Sequence, residues 1–170
     1  MAKLSATGLR WLKAFHLVAV SCWVGGAIAL ALLYFLKSGV DDGGVLYGIN
    51  QSIHHVDTYV IVVPGAFGCL ITGLAYSCFS RWGFFRHRWI TCKWIITIAA
   101  ILFGTFFLGP WEETMMELSG SLGISALGDP AYHHNQRMHA VFGAVQTLVL
   151  IATVFVSVFK PWRQARKKST

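Results

Sequence analysis

Histidines dominate the chemistry this chain can do. There are seven. His16 stands inside LKAFHLVAVSCWVGG, His54 and His55 inside NQSIHHVDTY, His87 in RHRW, and His133, His134 and His139 inside DPAYHHNQRMHA. Imidazole serves as a haem or metal ligand and as a proton carrier near neutrality. Lys93, in CKWIITIAAILFG, is a cation set in a similarly apolar run. A polar group without a partner in hydrocarbon is costly, so His16 and Lys93 are functional candidates from their setting alone. Desolvation keeps such an imidazole neutral, which leaves a lone pair for iron or for a buried donor. Residue pattern alone assigns no catalytic group.

The elements that must position these residues are membrane helices. Of 170 residues, 55% are hydrophobic and only 12% charged, and the mean hydropathy is +0.58. Stretches near 9–36, 58–79, 89–108 and 138–159 each reach the roughly 20 residues that a spanning helix requires. The expected fold is all-α, a single four-helix up-and-down transmembrane bundle over residues 1–170.

The net charge of +7 is a topology signal, not a nucleic-acid footprint. Lys3, Arg10 and Lys13 precede the first span. Arg81, Arg86, Arg88 and Lys93 surround the second loop, and Lys160, Arg163, Arg166, Lys167 and Lys168 follow the last span. The acids Asp41, Asp42, Glu112, Glu113, Glu117 and Asp129 fall in the other two loops. By the positive-inside rule both termini are cytoplasmic, in a multi-pass protein of a bacterial inner membrane. The first span is retained, since no small-residue cleavage site follows it.

Cys22, Cys69, Cys78 and Cys92 lie in or beside spans, with no C-x-x-C and no C-x-x-C-H. This excludes a zinc ribbon and covalent c-type haem attachment, and leaves the thiols as packing residues. The outer stretch carrying Trp111, Met115, Met116 and Leu118 reads as a short amphipathic piece on the membrane surface. Asp129 and Pro130 form an N-cap and first-turn pair that opens the fourth helix.

By depth the histidines fall into two groups. His54, His55, His133, His134 and His139 lie at the outer ends of the second and fourth helices. His16 lies about 9 Å beyond Arg10 at 1.5 Å per residue, inside the inner leaflet and level with Lys93. In an up-and-down bundle the second and fourth helices are diagonal, as are the first and third. That pairs the outer histidines with one another and His16 with Lys93. Two imidazoles from opposed helices at one depth suit the axial positions of a b-type haem. The expected outer ligands are His54 or His55 with His139, and His134 in reserve; a second haem is expected near His16. Small residues should line the ring's path, as on the face His54, Thr58, Ile61, Gly65, Gly68, Thr72. On the first helix Trp23 shares the face of His16. The outer histidines would equally suit zinc or copper, which makes a metal-handling or transport protein the competing reading.

The segment KAFHLVAVSCWVGG, with K-x-x-H and then W-x-G-G, resembles the first helix of a group of small four-helix bacterial membrane proteins. The group includes the HemJ-type protoporphyrinogen oxidases and the membrane domain of copper-resistance D-like proteins. CKWIITIAAILFGTFFLGPW resembles the third helix of the same group. The resemblance implies that His16 and Lys93 serve a b haem and porphyrinogen oxidation. Where this chain reads GGAIALALLYFLKSG, the HemJ-type proteins carry an aromatic, Pro-Arg-bearing stretch, and the outer histidine pairs have no expected counterpart there. These departures favour a haem protein that moves electrons between a membrane reductant such as quinol and an acceptor. Porphyrinogen oxidation is the alternative. A homodimer is expected from the small residues on the spans.

Overall fold

The computed structural model describes residues 4–80, 83 and 87–160. Lys3, Arg81, Arg86, Arg163, Arg166, Lys167 and Lys168, which entered the topology argument, lie outside the described residues. The protein is all-helical, and four helices are long and apolar enough to cross a membrane. They are α1 (Ala6–Leu36), α2 (Gly43–Phe79), α3 (Arg88–Gly128) and α4 (Pro130–Phe159). In hydrocarbon a backbone must satisfy its own hydrogen bonds, so an apolar run of this length has helix as its stable form. The starts follow the sequence. Ser5 caps α1 by accepting from Gly8 N at 3.1 Å. Asp129 caps α4 by accepting from Ala131 N at 2.7 Å and Tyr132 N at 3.1 Å, with Pro130 in the first turn.

Neighbours in sequence are neighbours in space, and α4 closes the ring against α1. The diagonals are therefore α1 with α3 and α2 with α4. At one end of the bundle Leu4 N donates to Phe79 O at 3.3 Å, and Lys160 reaches Trp89. This is the end with the basic residues. Asp41, Asp42, Glu112, Glu113, Glu117 and Asp129 lie at the other. The basic end is called inner below, and the acidic end outer.

Two expectations are corrected at the outer end. The second helix begins not near residue 58 but at Gly43, where the Asp42 carboxylate accepts from Val45 N at 2.8 Å. His54 and His55 thus lie three turns inside it. The stretch Gly109–Leu122 is not a separate surface helix but continues α3 and packs between α2 and α4. With 37 and 41 residues, α2 and α3 exceed a roughly 30 Å hydrocarbon core by about 25 Å or more. The surplus forms an outer cap, where Leu46, Met115, Ala126 and Tyr132 make a core of their own. The apolar face of the early α2 turns supplies the partner that Met115 needs, which a reading of each helix in isolation misses.

Within the membrane region the core is Ala19, Trp23, Ile61, Ala66, Cys69, Ala100 and Leu150, one or more residues from each helix. Leu17, Val18, Ile71, Ile95, Phe106 and Leu148 point outward, as a lipid-facing surface requires. Pro64 lies inside α2, and the backbone over Asp57–Phe67 widens into π-type turns around it. Proline lacks the N–H that a regular turn needs, and a wider turn absorbs that loss.

Candidate functional site

The inner end holds the intramembrane histidine in a defined state. Thr72, on α2, donates its hydroxyl proton to the Gly68 carbonyl one turn earlier. A threonine has one such proton, so toward His16 its oxygen can only accept. His16 Nδ1 lies 2.7 Å from Thr72 Oγ1, and with the Thr72 proton on the Gly68 carbonyl it is Nδ1 that donates. Nε2 keeps its lone pair. Ligating histidines are commonly oriented in this way, with one ring nitrogen bonded to a protein group and the other left for the metal. Tyr76 meets the imidazole edge-on at 6.0 Å between centroids, and its own hydroxyl donates to Leu9 O at 3.4 Å. His16 is half-buried.

Lys93, on the diagonal helix α3, lies within electrostatic range of His16 and of Cys69. One turn earlier Trp89 presents its ring to Lys93 Nζ at 5.9 Å and to Lys160 Nζ at 5.6 Å. Trp94 Nε1 donates to Ser77 Oγ at 3.2 Å, joining α3 to α2 below the imidazole. His87 stacks on Trp89 at 6.3 Å.

Trp23 is 4% exposed and fills the middle of the bundle. Its backbone lies against Gly65, where a Cβ would come within 2.9 Å of Trp23 Cα. Gly26 of α1 faces the Ile61 side chain, whose Cγ1 would stand 2.5 Å from a Cβ there. The glycine face of α2 was expected to open a path for a flat ring. It is instead the seam along which α1 and α2 pack, a common use of small residues in membrane helices. The two ends of the bundle are thereby separated by a packed layer at Trp23.

At the outer end the structure distinguishes the paired histidines. His54 turns inward, with Nδ1 3.0 Å from Glu112 Oε1, while His55 is exposed and lies beside Tyr59. His133 and His134 are exposed, and His139 is half-buried. Among the described residues no hydrogen bond or ring contact joins His54 to His139. Nor do they include a group of three or more His, Cys, Asp or Glu side chains placed to hold a metal ion.

The cap also contains polar residues that the sequence reading passed over. Asn50, 1% exposed, places its Nδ2, with two protons to donate, within 3.4, 2.9 and 3.1 Å of Met115 O, Ser119 Oγ and Tyr132 Oη. Lys37, 5% exposed, reaches Met115 Sδ at 3.8 Å and lies over the Tyr132 ring at 5.7 Å. Burial pulls its ammonium down to about 8, with Glu112 opposing part of the shift. Glu112 is 2% exposed, and its Oε2 lacks a hydrogen-bond partner among the described residues, as does Asn50 Oδ1. A usable signal was present: three acids and two methionines within WEETMME imply a helix with two unlike faces, and such a helix can pack as well as float.

Along most of its length the chain is similar to protoporphyrinogen IX oxidase of Helicobacter pylori. The identity is 25% over 153 residues, covering 89% of this chain and 94% of the relative, in each of the strains J99 and 26695. No family model and no solved structure matches.

Proposed function

We propose that this chain is a multi-pass membrane oxidoreductase that oxidises a porphyrinogen to a porphyrin, with one b-type haem held by His16 at the inner end. The single observation that carries the reading is the 2.7 Å contact of His16 Nδ1 with Thr72 Oγ1 inside a membrane span, which supports a ring oriented with Nε2 toward a ligand. The similarity to two curated protoporphyrinogen IX oxidases over 89% of the chain supports porphyrinogen as the substrate class. This reverses the order of the two readings that the residues alone suggested.

The haem, when bound, supplies one-electron redox chemistry. The chain's own residues do the rest. Thr72 orients the imidazole, Tyr76 walls one side of it, and Trp23 packs between this end and the outer half. Oxidation of a porphyrinogen releases electrons and protons in equal number. A membrane quinone is the proposed electron acceptor, and it takes up protons as it is reduced. The concentration of basic residues at the inner end supports placing that end, and both termini, on the cytoplasmic side of a bacterial inner membrane.

Membranes from cells producing the chain, supplied anaerobically with protoporphyrinogen IX and a quinone, should develop porphyrin fluorescence. Membranes with His16→Ala should not. Fluorescence that grows equally with the variant, or that never exceeds membranes lacking the chain, contradicts the reading.

A second haem at the outer end has one observation in its favour. His54 Nδ1 is bonded to the Glu112 carboxylate, the arrangement that leaves Nε2 to a metal.

A further inference from the structure

We propose that Lys37, Asn50 and Glu112 form a binding site for a single water molecule, which joins the outer ends of all four helices. The proposal concerns the cap and stands apart from the porphyrinogen reading. Its basis is a set of buried polar atoms whose unused capacities are complementary. Lys37, Asn50 and Glu112 are all buried, and Glu112 Oε2 and Asn50 Oδ1 have no hydrogen-bond partner among the described residues. Two acceptors left dry in such a place are costly.

The orientation of the Asn50 amide follows from its partners. Ser119 donates its hydroxyl proton to Met116 O at 2.9 Å, so toward Asn50 its oxygen accepts. With that proton committed, it is the nitrogen of Asn50 that faces Ser119 Oγ at 2.9 Å, and Oδ1 keeps its lone pairs unused. Glu112 is held in a similar way, with Oε1 3.0 Å from His54 Nδ1, and Oε2 is left over.

These two oxygens belong to adjacent rungs of one ladder between α2 and α3. Asn50 and His54 are one turn apart on α2, and Met115 and Glu112 are one turn apart on α3. Asn50 Nδ2 is 3.4 Å from Met115 O, and His54 Nδ1 is 3.0 Å from Glu112 Oε1. The rungs are therefore about 4.5–6 Å apart along the helices. One water making two hydrogen bonds of about 2.8 Å spans such a gap. Lys37 Nζ arrives at the Met115 rung, 3.8 Å from Met115 Sδ, and lies within electrostatic range of Glu112. A thioether is a weak acceptor, so the ammonium has protons to offer.

The ligand must therefore donate twice, to two oxygens, and accept once, from an ammonium group. Water does both, in the three-bond arrangement usual for a buried water. A monovalent cation would suit the oxygens and be repelled by Lys37. An anion would suit Lys37 and be repelled by the oxygens. A larger hydroxyl or amide compound is disfavoured by the packing of Leu46, Met115, Ala126 and Tyr132, which form the core around the site. Lys37 follows the last turn of α1, Asn50 belongs to α2 and Glu112 to α3, and Tyr132 brings in α4 through its Oη, 3.1 Å from Asn50 Nδ2.

The test is a crystal structure of the full chain in lipid, at a resolution that shows single waters, together with proton-detected solid-state NMR of the chain in phosphatidylcholine bilayers. The map should hold one peak within about 2.6–3.2 Å of Glu112 Oε2, Asn50 Oδ1 and Lys37 Nζ. In the spectrum the Asn50 side-chain amide should show a cross-peak to a bound water. Glu112→Gln keeps a polar head of the same shape and should retain that cross-peak. Glu112→Leu should lose it while the backbone signals of the inner end stay in place. A map without the peak overturns the proposal, as does direct contact of Glu112 Oε2 with Asn50 Oδ1 or an ion pair between Lys37 and Glu112. So does a peak ringed by more oxygens than a water can bond, which marks a cation, or a cross-peak that survives Glu112→Leu. None of these outcomes bears on the porphyrinogen reading.

Discussion

The inner and outer ends of this bundle use the same residue types to opposite effect. At the outer end, His54 faces a carboxylate, Lys37 lies near the same carboxylate, and Asn50 ties three partners together. Burial raises the Glu112 carboxyl to about 8 as it lowers Lys37 to about 8, and Leu46, Ile53, Met115 and Tyr132 are sealed around the cluster. At the inner end, His16 is steadied by a neutral hydroxyl, and two lysines gather on one indole with the acids at the far end of the molecule. A polar cluster that balances itself holds a fold together. A histidine held by a neutral hydroxyl inside a span is suited to receive a ligand.

The largest expected effect breaks the layer that divides the two ends. Gly65→Val places side-chain atoms against the Trp23 backbone, which already stands 2.9 Å from the position of a Cβ. Overpacking of this kind costs about 1–3 kcal/mol. Thermal unfolding in detergent should show the loss, together with reduced haem content. An unchanged melting temperature means that α1 and α2 are not packed as described.

A smaller effect, confined to the inner end, is expected from Thr72. Thr72→Val keeps the shape and removes the oxygen that orients His16. Loss of a partner behind a ligating histidine typically lowers affinity about ten- to hundredfold. Haem titration should report that loss, and Thr72→Ser should restore binding. Equal affinity in Thr72→Val and the unmodified chain would remove the role given to this hydroxyl.

The smallest effect belongs to the outer cap and is read in pH. Burial lowers Lys37 from 10.5 to about 8 in the folded protein. Between those values the unfolded chain holds a proton that the folded chain has shed, so stability attributable to this group rises as pH rises through that window. Below pH 8 both states are protonated and the slope vanishes. Denaturant midpoints measured across the window should show the rise, and Lys37→Met should flatten it without changing haem content. A loss of haem in that variant would join the two ends functionally and undo the contrast between them.

Sequence reading reached the fold because each signal was local. An apolar run of membrane length needs no partner to declare itself, and Asp129–Pro130 marks the start of α4 by its own chemistry. His16 and Lys93 stand out for the same reason, since a polar residue in an apolar run is conspicuous. What escaped notice depends on contacts between distant segments. Thr72 is an ordinary hydroxyl until α1 brings His16 beside it. Asn50, Glu112 and Lys37 look like solvated loop residues until α2 and α3 extend past the membrane and enclose them. The glycines of α2 announced close approach but not of what, and the answer was a helix. His54 and His55 could be told apart only once Glu112 had a place.

The haem that porphyrinogen oxidation requires is placed on His16, at the inner end. Haem per chain, measured as the pyridine haemochrome of purified protein, decides it most directly when His16→Ala is set beside His54→Ala and His139→Ala. His16→Ala should lose the haem held by the inner end, while the two outer substitutions should leave it in place. Haem content retained in His16→Ala, or lost in His54→Ala and His139→Ala instead, would contradict it.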